Sequence, residues 1–268
     1  MKTKIIAEIG INHNGNINYG YTLIDQIKLA GAQAVKFQTY DSISRFNKGN
    51  PFIDIFKKFN LPRENELKLW RYAKSIDLEL ITTPFDESSL KFCRENIELL
   101  DGVKIASFET ANKALIRGVA DLKLKTYFST GQNTLSEVKN VMDILKKKTN
   151  SIVPMHCISS YPMRDDDSNL LVIKKLKNEL NLEIGFSDHS EGFKIAGYAV
   201  LMGAICIEKH FTLDKKMEGP DHSFSLSPVE LQGLVNHIKF IESVMGSDWM
   251  GIRDCEKKIS SLAKRITN

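Results

Sequence analysis

Cysteine is scarce and scattered in this chain. The four cysteines are Cys93, Cys157, Cys206 and Cys255, and no two of them form a CxxC pair. Cys157 and Cys206 lie in apolar, strand-like runs, where a buried free thiol is the usual state. Because the pattern provides no disulfide framework, we predict a reducing, cytoplasmic setting.

Long apolar runs and a large charge imbalance are also missing. No apolar stretch approaches the roughly 18 residues that a membrane span needs, and Glu8 interrupts the apolar start too early for a signal peptide. The 37 basic and 33 acidic residues leave a net charge of +4 at pH 7, and no basic stripe is interleaved with aromatic residues. We therefore expect neither a membrane nor a nucleic acid as a partner. The mildly positive net charge is compatible with the binding of anionic small molecules.

Linkers rich in Pro, Gly or Ser are absent, so the 268 residues predict one large domain. Short runs rich in β-branched residues alternate with amphipathic stretches along the chain. The last predicted helix, residues 228–244, has Ser227 as its N-cap, Pro228 at its first position and Glu230 as the capping-box partner. The eight predicted strands are residues 5–9, 34–38, 79–83, 102–106, 125–129, 152–157, 183–186 and 204–208.

Eight β-then-α units in a chain of this length are typical of a single-domain α/β fold, the (β/α)8 TIM barrel. We expect the barrel over residues 1–247 and a basic tail over residues 248–268. An open, doubly wound parallel sheet is the alternative, but no GxGxxG motif follows the first strand. Polar residues follow the predicted strands, and in a TIM barrel that rim holds the active site.

Two histidines stand at equivalent places beyond the last two predicted strands. His189 lies in GFSDHS and His210 in EKHFTLD, and the stretch between them has helical periodicity. Two imidazoles at neighbouring strand ends can converge on one divalent metal, since neutral histidine is a common ligand near pH 7. The alternative is that each is an ordinary polar residue of a loop.

Two lysines interrupt otherwise apolar strands. Lys36 lies in AVKFQ and Lys104 in GVKIA. A lysine inside a barrel needs an anionic partner, and with Thr83, Ser107 and Ser129 on other strand ends the set fits a phosphate group. Lysines on the outer face of the barrel, or a lysine that forms a Schiff base, are the alternatives.

Carboxylates and aromatic residues complete the predicted rim. Glu8, Glu109 and Asp221 are candidates for acid–base work or for binding sugar hydroxyls, and burial of Glu8 would raise its pKa. The aromatic residues that we expect to wall the pocket are Phe85, Tyr161 and Phe211.

Nine stretches, taken in order, resemble the motifs of the sialic acid synthase family. They are AEIGINHNG, VKFQTY, TTPFD, VKIAS, STG, HCISSYP, GFSDHS, EKHFTLD and GPDHSFSLSP, and they span nearly the whole chain. The resemblance implies a barrel enzyme that condenses phosphoenolpyruvate with an N-acetylated amino sugar, either N-acetylmannosamine or a dideoxy-diacetamido hexose. The product would be a nine-carbon 2-keto acid, and phosphate would be released.

The resemblance also implies roles for individual residues. His189 and His210 match metal ligands, usually of manganese, with magnesium or cobalt as alternatives. Residues that match the phosphoenolpyruvate site are Lys36, Thr83, Lys104, Ser107, Ser129, Ser187 and Ser159, the last standing where some members carry Asn. Residues that match the sugar site and the reacting centre are Gln38, Asp221 and the expected catalytic residues Glu8, Glu109 and Tyr161.

Members of that family usually continue into a small antifreeze-like domain that reaches over the partner subunit's barrel. We expect this domain to be absent here, and we expect a homodimer. The long segment 41–63 is then predicted to cover the sugar, with a structural or dimer contact as the alternative, through Arg45, Phe46, Phe52, Phe56 and Phe59. Three other functions stay open: a synthase that uses a phosphorylated sugar, a Schiff-base aldolase and a non-catalytic sugar-phosphate sensor.

Overall fold

Parallel strands close into one barrel in the part of the chain that the computed structural model describes, residues 2–42, 45, 49–50 and 52–259. The strands are β1 Lys4–Gly10, β2 Ala34–Thr39, β3 Glu79–Pro84, β4 Gly102–Ile105, β5 Thr126–Ser129, β6 Ile152–Cys157, β7 Gly185–Asp188 and β8 Cys206–His210. They neighbour one another in chain order, and β8 pairs with β1 to complete the ring. The predicted (β/α)8 TIM barrel is confirmed.

Helices cover the outside of the barrel. Within the described residues they are α1 Ile17–Ala30, α2 Phe52–Lys58, α3 Arg63–Ser75, α4 Glu87–Glu95, α5 Lys113–Asp121, α6 Leu135–Leu145, α7 Leu171–Leu180, α8 Lys194–Leu201 and α9 Pro228–Met245. The apolar faces of these helices pack against the outer face of the sheet in one large core. None of the helices in the described ranges has the length and apolarity that a membrane span requires.

The structure differs from the predicted elements in two places. Helix α2 lies inside segment 41–63, which the sequence predicts as a loop, and Phe46 of that segment lies outside the described residues. Strands β7 and β8 begin and end two residues later than predicted, and in the ladder Ser187 pairs with Glu208 and Asp188 with Lys209. The predicted ends, Phe186 and Glu208, leave out the polar ladder positions that follow them.

The barrel interior is apolar at one level and polar at the next. Its apolar layer consists of Ile6, Ala34, Ile81, Tyr127, Val153, Met155 and Cys206. Because side chains on a strand alternate between its two faces, the residues two positions further on also point inward. These are Glu8, Lys36, Thr83, Ser129, Cys157 and Glu208, and all are buried. The polar layer therefore rests on an apolar floor at the C-terminal end of the strands.

Helix α9 ends the described part of the barrel, and the described residues beyond it are exposed. The helix ends at Met245, close to the predicted boundary at residue 247. Residues 246–259 are exposed and include one short 3-10 turn, Asp254–Glu256. Residues 260–268, the rest of the predicted tail, lie outside the described residues.

The capping box of α9 gives a test of local stability. The Ser227 hydroxyl accepts from the Glu230 backbone N–H, and the Glu230 carboxylate accepts from the Ser227 backbone N–H. Ser227→Ala should lower the free energy of unfolding by about 1 kcal/mol, because a helix-end N–H loses its acceptor. Ser243→Ala is the control, since Ser243 lies near the other end of the helix and donates to the Phe240 carbonyl. Urea denaturation measures both, and equal effects would contradict the role of the cap.

Candidate active site

The strand ends bring the predicted site residues to one mouth of the barrel. Most of them are buried: Glu8, Lys36, Thr83, Phe85, Lys104, Ser107, Ser129, Ser187, His189 and His210. Others lie nearer the rim: Gln38, Glu109, Ser159 and Asp221 are partly buried, and Tyr161 is 48 % exposed. The rim predicted from the polar residues therefore forms one continuous cluster in three dimensions.

Four buried charges form an ion-pair cluster across the barrel. Lys36 Nζ lies 2.8 Å from Glu8 Oε2 and 3.7 Å from Glu208 Oε1. Lys104 Nζ lies 2.9 Å from Glu208 Oε2. Lys36 Nζ also donates to Thr83 Oγ1 (3.1 Å). Both lysines thus point into the barrel, and the alternative of outward lysines is wrong.

Glu208 links the two lysines, although the sequence assigned it no role beyond that of an acid near the histidines. Its carboxylate contacts both ammonium groups and accepts a hydrogen bond from Ser187 Oγ (3.1 Å). Glu208 stands two residues before His210, so both side chains point inward from β8. That spacing was the available signal, whereas the contact with Lys104 joins residues 104 positions apart in the chain.

The two buried carboxylates differ in their affinity for a proton. Burial raises the pKa of Glu8, and the neighbouring charge of Glu208 adds to this effect against the opposing pull of Lys36. Burial acts on Glu208 in the same direction, but the charges of Lys104 and Lys36 outweigh it and lower the pKa of Glu208. Glu8 is therefore the carboxylate of this cluster that accepts a proton more readily.

Two serine hydroxyls meet across the mouth, Ser107 from the end of β4 and Ser159 from the end of β6. Ser107 Oγ and Ser159 Oγ are 2.8 Å apart and share a hydrogen bond. Gly131 leaves room for them, because a Cβ there would lie 2.4 Å from Ser159 Oγ and 2.8 Å from Cys157 Sγ. The STG motif thus brings backbone, rather than a side chain, close to these hydroxyls.

The two predicted metal ligands face each other above the ion-pair cluster. The ring centroids of His189 and His210 are 5.8 Å apart. His189 Nδ1 lies 2.8 Å from the Ile158 carbonyl oxygen, which requires a proton on Nδ1 and leaves Nε2 as the ring's acceptor. Among the described residues His210 Nδ1 is buried without a hydrogen-bond partner, and it lies 3.6 Å from Asp221 Oδ2.

The chemistry of this histidine pair fits a divalent metal. Burial lowers the pKa of His189 to about 4. Burial, followed by the charge of His189, lowers the pKa of His210 well below its usual value. Both rings are therefore neutral near pH 7 and keep a nitrogen lone pair. In the described ranges, no three His, Cys, Asp or Glu side chains are already arranged around one metal position.

A second hydrogen-bonded chain crosses the mouth from Glu8. Gln38 Nε2 donates to Glu8 Oε1 (3.0 Å), and Arg45 Nη1 donates to Gln38 Oε1 (3.2 Å). The Arg45 guanidinium packs between the rings of Phe56 and Phe85, with its central carbon 4.1 Å and 3.7 Å from their centroids. Segment 41–63 therefore contributes to the mouth through Arg45 and Phe56.

Comparison with known proteins identifies the family of this chain. A profile of the NeuB family matches residues 23–249. The chain belongs to the NeuB family. It is 36 % identical to an N,N'-diacetyllegionaminic acid synthase of Legionella pneumophila over 97 % of this chain and 78 % of that protein. It is 33 % identical to an N-acetylneuraminate-9-phosphate synthase of Drosophila melanogaster over 87 % of this chain and 66 % of that protein.

The solved structure of a sialic acid synthetase superposes on this NeuB-family chain. It is the N-acetylneuraminic acid synthetase of Leptospira borgpetersenii, crystallised in complex with citrate. The TM-score is 0.91 with 34 % sequence identity, and the match covers 98 % of this chain and 91 % of that chain. The resemblance inferred from the nine motifs is thereby confirmed at the level of the family.

Aromatic residues line the mouth of this NeuB-family barrel in two separate groups, one after β3 and β4 and one after β6 to β8. The Tyr161 ring lies 4.3 Å from the His189 ring and 5.7 Å from the Phe224 ring, centroid to centroid. Phe85 stacks on Phe108 at 5.9 Å. Phe224 was not predicted. Phe211, expected as a wall, instead packs in the core outside the barrel, since it neighbours the inward-facing His210.

Two carboxylates of the predicted site lie nearer the rim. Glu109 Oε2 accepts from Asn112 Nδ2 (3.0 Å), within the turn that follows β4. Asp221 comes from the segment between β8 and α9. Burial, and then the charge of Glu8, raise the pKa of Asp221 to about 7. Neither carboxylate pairs with the buried lysines.

The ion-pair cluster predicts a strong non-additivity. Lys104→Met should lower the free energy of unfolding by about 3–5 kcal/mol, because it leaves Glu208 buried with less compensation. The double variant Lys104→Met/Glu208→Gln should lose less than the sum of its two single variants. Chemical denaturation of the four proteins measures the coupling. Additive effects would contradict a direct charge interaction.

An exposed ion pair provides the control for the Lys104 and Glu208 variants. Lys139 Nζ lies 2.8 Å from Glu179 Oε2, and both side chains are largely solvated. Lys139→Met should leave the free energy of unfolding close to the wild-type value, since solvent screens such pairs.

Proposed function

We propose that this protein condenses phosphoenolpyruvate with an N-acylated amino sugar, forming a C–C bond and releasing phosphate. The observation that carries the proposal is that two buried lysines, Lys36 and Lys104, lie at the same strand ends as a pair of histidine rings 5.8 Å apart, in a NeuB-family barrel. Membership of the family favours this reaction, because the relatives are named as synthases of sialic, legionaminic and pseudaminic acids.

The lysine side of the mouth suits phosphoenolpyruvate. Phosphate and carboxylate oxygens are strong acceptors for ammonium groups in a site that excludes water. Lys36 and Lys104 already direct their ammonium groups at carboxylate oxygens, and Thr83, Ser187 and Ser107 place hydroxyls around them. A bound phosphate would take over donors that are now used by Glu8 and Glu208.

The residues nearer the opening suit the sugar. Gln38, Asp221 and Arg45 offer an amide, a carboxyl group and a guanidinium, which can satisfy hydroxyl and acyl-amide groups. The stacked rings of Phe85 and Phe108 and the exposed face of Tyr161 offer apolar surface for the sugar's carbon face. This half of the site is the part that would select the acceptor.

His189 and His210 would hold a divalent cation, for which we propose manganese, with magnesium and cobalt as alternatives. When bound there, the cation would supply a Lewis acid next to the acceptor's aldehyde. The His189 ring contributes its Nε2 to this site, because its Nδ1 is engaged by the Ile158 carbonyl.

The protein's own residues account for the remaining steps. The methylene carbon of phosphoenolpyruvate bonds to the acceptor's aldehyde carbon, whose oxygen then takes up a proton. Water adds to the former enol carbon and loses one proton. The C–O bond to phosphate then breaks as the new hydroxyl loses the second proton, which leaves a 2-keto acid and inorganic phosphate. Lys36 and Lys104 would stabilise the departing phosphate. Glu8 would hold the water's proton, since it lies beside Lys36 and accepts protons more readily than Glu208.

A panel of acceptors tests the proposed reaction. Purified protein is incubated with phosphoenolpyruvate, manganese and one acceptor at a time: N-acetylmannosamine, its 6-phosphate or a dideoxy-diacetamido hexose. Both inorganic phosphate and 2-keto acid are measured. We expect both products in equal amounts with at least one unphosphorylated sugar. Turnover of the 6-phosphate alone would instead favour a sugar-phosphate synthase.

Two outcomes of this assay would overturn the proposal. Binding of phosphoenolpyruvate without turnover of any acceptor would favour the non-catalytic sensor. Borohydride-dependent incorporation of pyruvate at a lysine would favour the Schiff-base aldolase.

Lys36→Met should weaken phosphoenolpyruvate binding while changing sugar binding little. Loss of one charge-assisted hydrogen bond costs about 1.5–3 kcal/mol, or roughly 10- to 150-fold in dissociation constant. Calorimetric titration with phosphoenolpyruvate measures the effect. Lys74→Met is the control, because Lys74 pairs with Asp101 away from the mouth (2.7 Å). An unchanged dissociation constant in Lys36→Met would remove Lys36 from the substrate site.

His189→Ala and His210→Ala should each abolish metal-dependent phosphate release while the protein stays folded. The reason is that each would remove one of the two proposed ligands, whereas neither side chain belongs to the apolar core. His237→Ala is the control, since His237 lies on α9 against Phe193. Activity is measured after chelator treatment and readdition of manganese. Retention of most turnover in either variant would make the metal assignment wrong.

The homodimer also stays a proposal. Light scattering of the purified protein measures the molar mass directly, and a mass of one chain would contradict it.

A further inference from the structure

A second buried ion pair lies behind the site, on the outer face of the barrel wall. Lys209 Nζ lies 3.2 Å from Asp188 Oδ2, and the two side chains are 1 % and 0 % exposed. The proposed reaction uses neither residue. Their positions in the ladder are paired, with Asp188 on β7 opposite Lys209 on β8.

Each member of this pair stands directly before a histidine of the proposed metal site. Asp188 precedes His189, and Lys209 precedes His210. Because alternate residues of a strand point to opposite faces, the ion pair lies outside the barrel while His210 points inside. The contact between Asp188 and Lys209 therefore joins the two residues that directly precede His189 and His210 in the chain.

Lys209 and Asp188 also hold the backbone that carries His189. Lys209 Nζ donates to the Ser190 carbonyl oxygen (2.5 Å), and Asp188 Oδ1 accepts from the Ser190 backbone N–H (2.9 Å). Both polar groups of the residue after His189 are thus bound by the pair. The ring and carbonyl of His189 are bound separately, by the Ile158 carbonyl (2.8 Å) and the Met163 N–H (2.9 Å).

The energetics do not favour a purely stabilising role for the pair. Burying a lysine and an aspartate costs solvation free energy on both sides, and apolar residues of similar size stabilise a fold equally well or better. What this ion pair provides in addition is direction, because its two hydrogen bonds to the Ser190 backbone form in one arrangement only. The arrangement found here fixes the segment between β7 and α8 relative to β8.

We propose that Asp188 and Lys209 are positioning residues that hold His189 in one orientation and one tautomer, with its Nε2 directed towards His210. The inference rests on the proposed function only where metal binding is concerned. The orientation of His189 can be measured without any metal.

The metal-free test reads the histidine tautomers directly. Long-range 1H–15N spectra of metal-free protein are recorded at one pH for wild type, Lys209→Met and Asp188→Asn, and the His189 signals are assigned with His189→Ala. In wild type, we expect a single His189 tautomer with the proton on Nδ1. In both variants, we expect shifted His189 signals and a mixture of tautomers, while His237 and His156 stay unchanged. Unchanged His189 signals in both variants would overturn the inference.

The second test measures metal affinity. Calorimetric titration with manganese should show about 10- to 100-fold weaker binding in Lys209→Met and Asp188→Asn, the usual effect of losing an outer support of a ligand. Glu66→Gln is the matched control, because Glu66 is equally buried and paired with Arg63 (2.8 Å), away from the histidines. An unchanged affinity in the two variants, or the same loss in Glu66→Gln, would overturn the positioning role.

The two tests separate the inference from the proposed function. If wild type binds no manganese, the proposed metal site is wrong, and the tautomer measurement still decides the role of the pair. Asp188→Asn keeps the size of the side chain, so this variant still tests the positioning role if Lys209→Met does not fold. If both single variants fail to fold, the pair supports the fold as a whole and the positioning role is wrong.

Discussion

Opposite charges buried inside the barrel are the interaction on which the site depends. Lys36 and Lys104 point inward because the strand alternation that buries Ala34 also buries Lys36 two residues later. Neither could remain charged there alone, and Glu8 and Glu208 supply the compensation. The cluster is neutral as a whole, with two cations and two carboxylates.

The surrounding structure keeps this cluster dry and rigid. Below it, the apolar layer that includes Ile6 and Tyr127 fills the barrel and excludes water. Above it, the neutral His189 and His210 face the opening, held by the Ile158 carbonyl and by the wall of β7 and β8. Lysines that are already directed and desolvated need little rearrangement to bind a phosphate, which is the condition for electrostatic stabilisation during the reaction.

The barrel could be predicted from the sequence because its strands and helices leave periodic patterns of apolar residues. Alternating strands and helices, and the capping box at Ser227, depend on residues close together in the chain. The role of Glu208 could not be predicted in this way, because it comes from contacts with Lys36 and Lys104 on other strands. Helix α2 and the outward position of Phe211 were missed for a similar reason, since tertiary packing decides both. The acceptor sugar depends on contacts of the same long-range kind.

A crystal structure of the protein with phosphoenolpyruvate at neutral pH tests the central claim most directly. The account predicts a phosphate oxygen within hydrogen-bonding distance of the Lys36 or Lys104 ammonium group. It also predicts that at least one present contact, Lys36–Glu8 or Lys104–Glu208, lengthens beyond its 2.8 or 2.9 Å. Phosphoenolpyruvate bound elsewhere, with both lysines still paired to their carboxylates, would contradict the account.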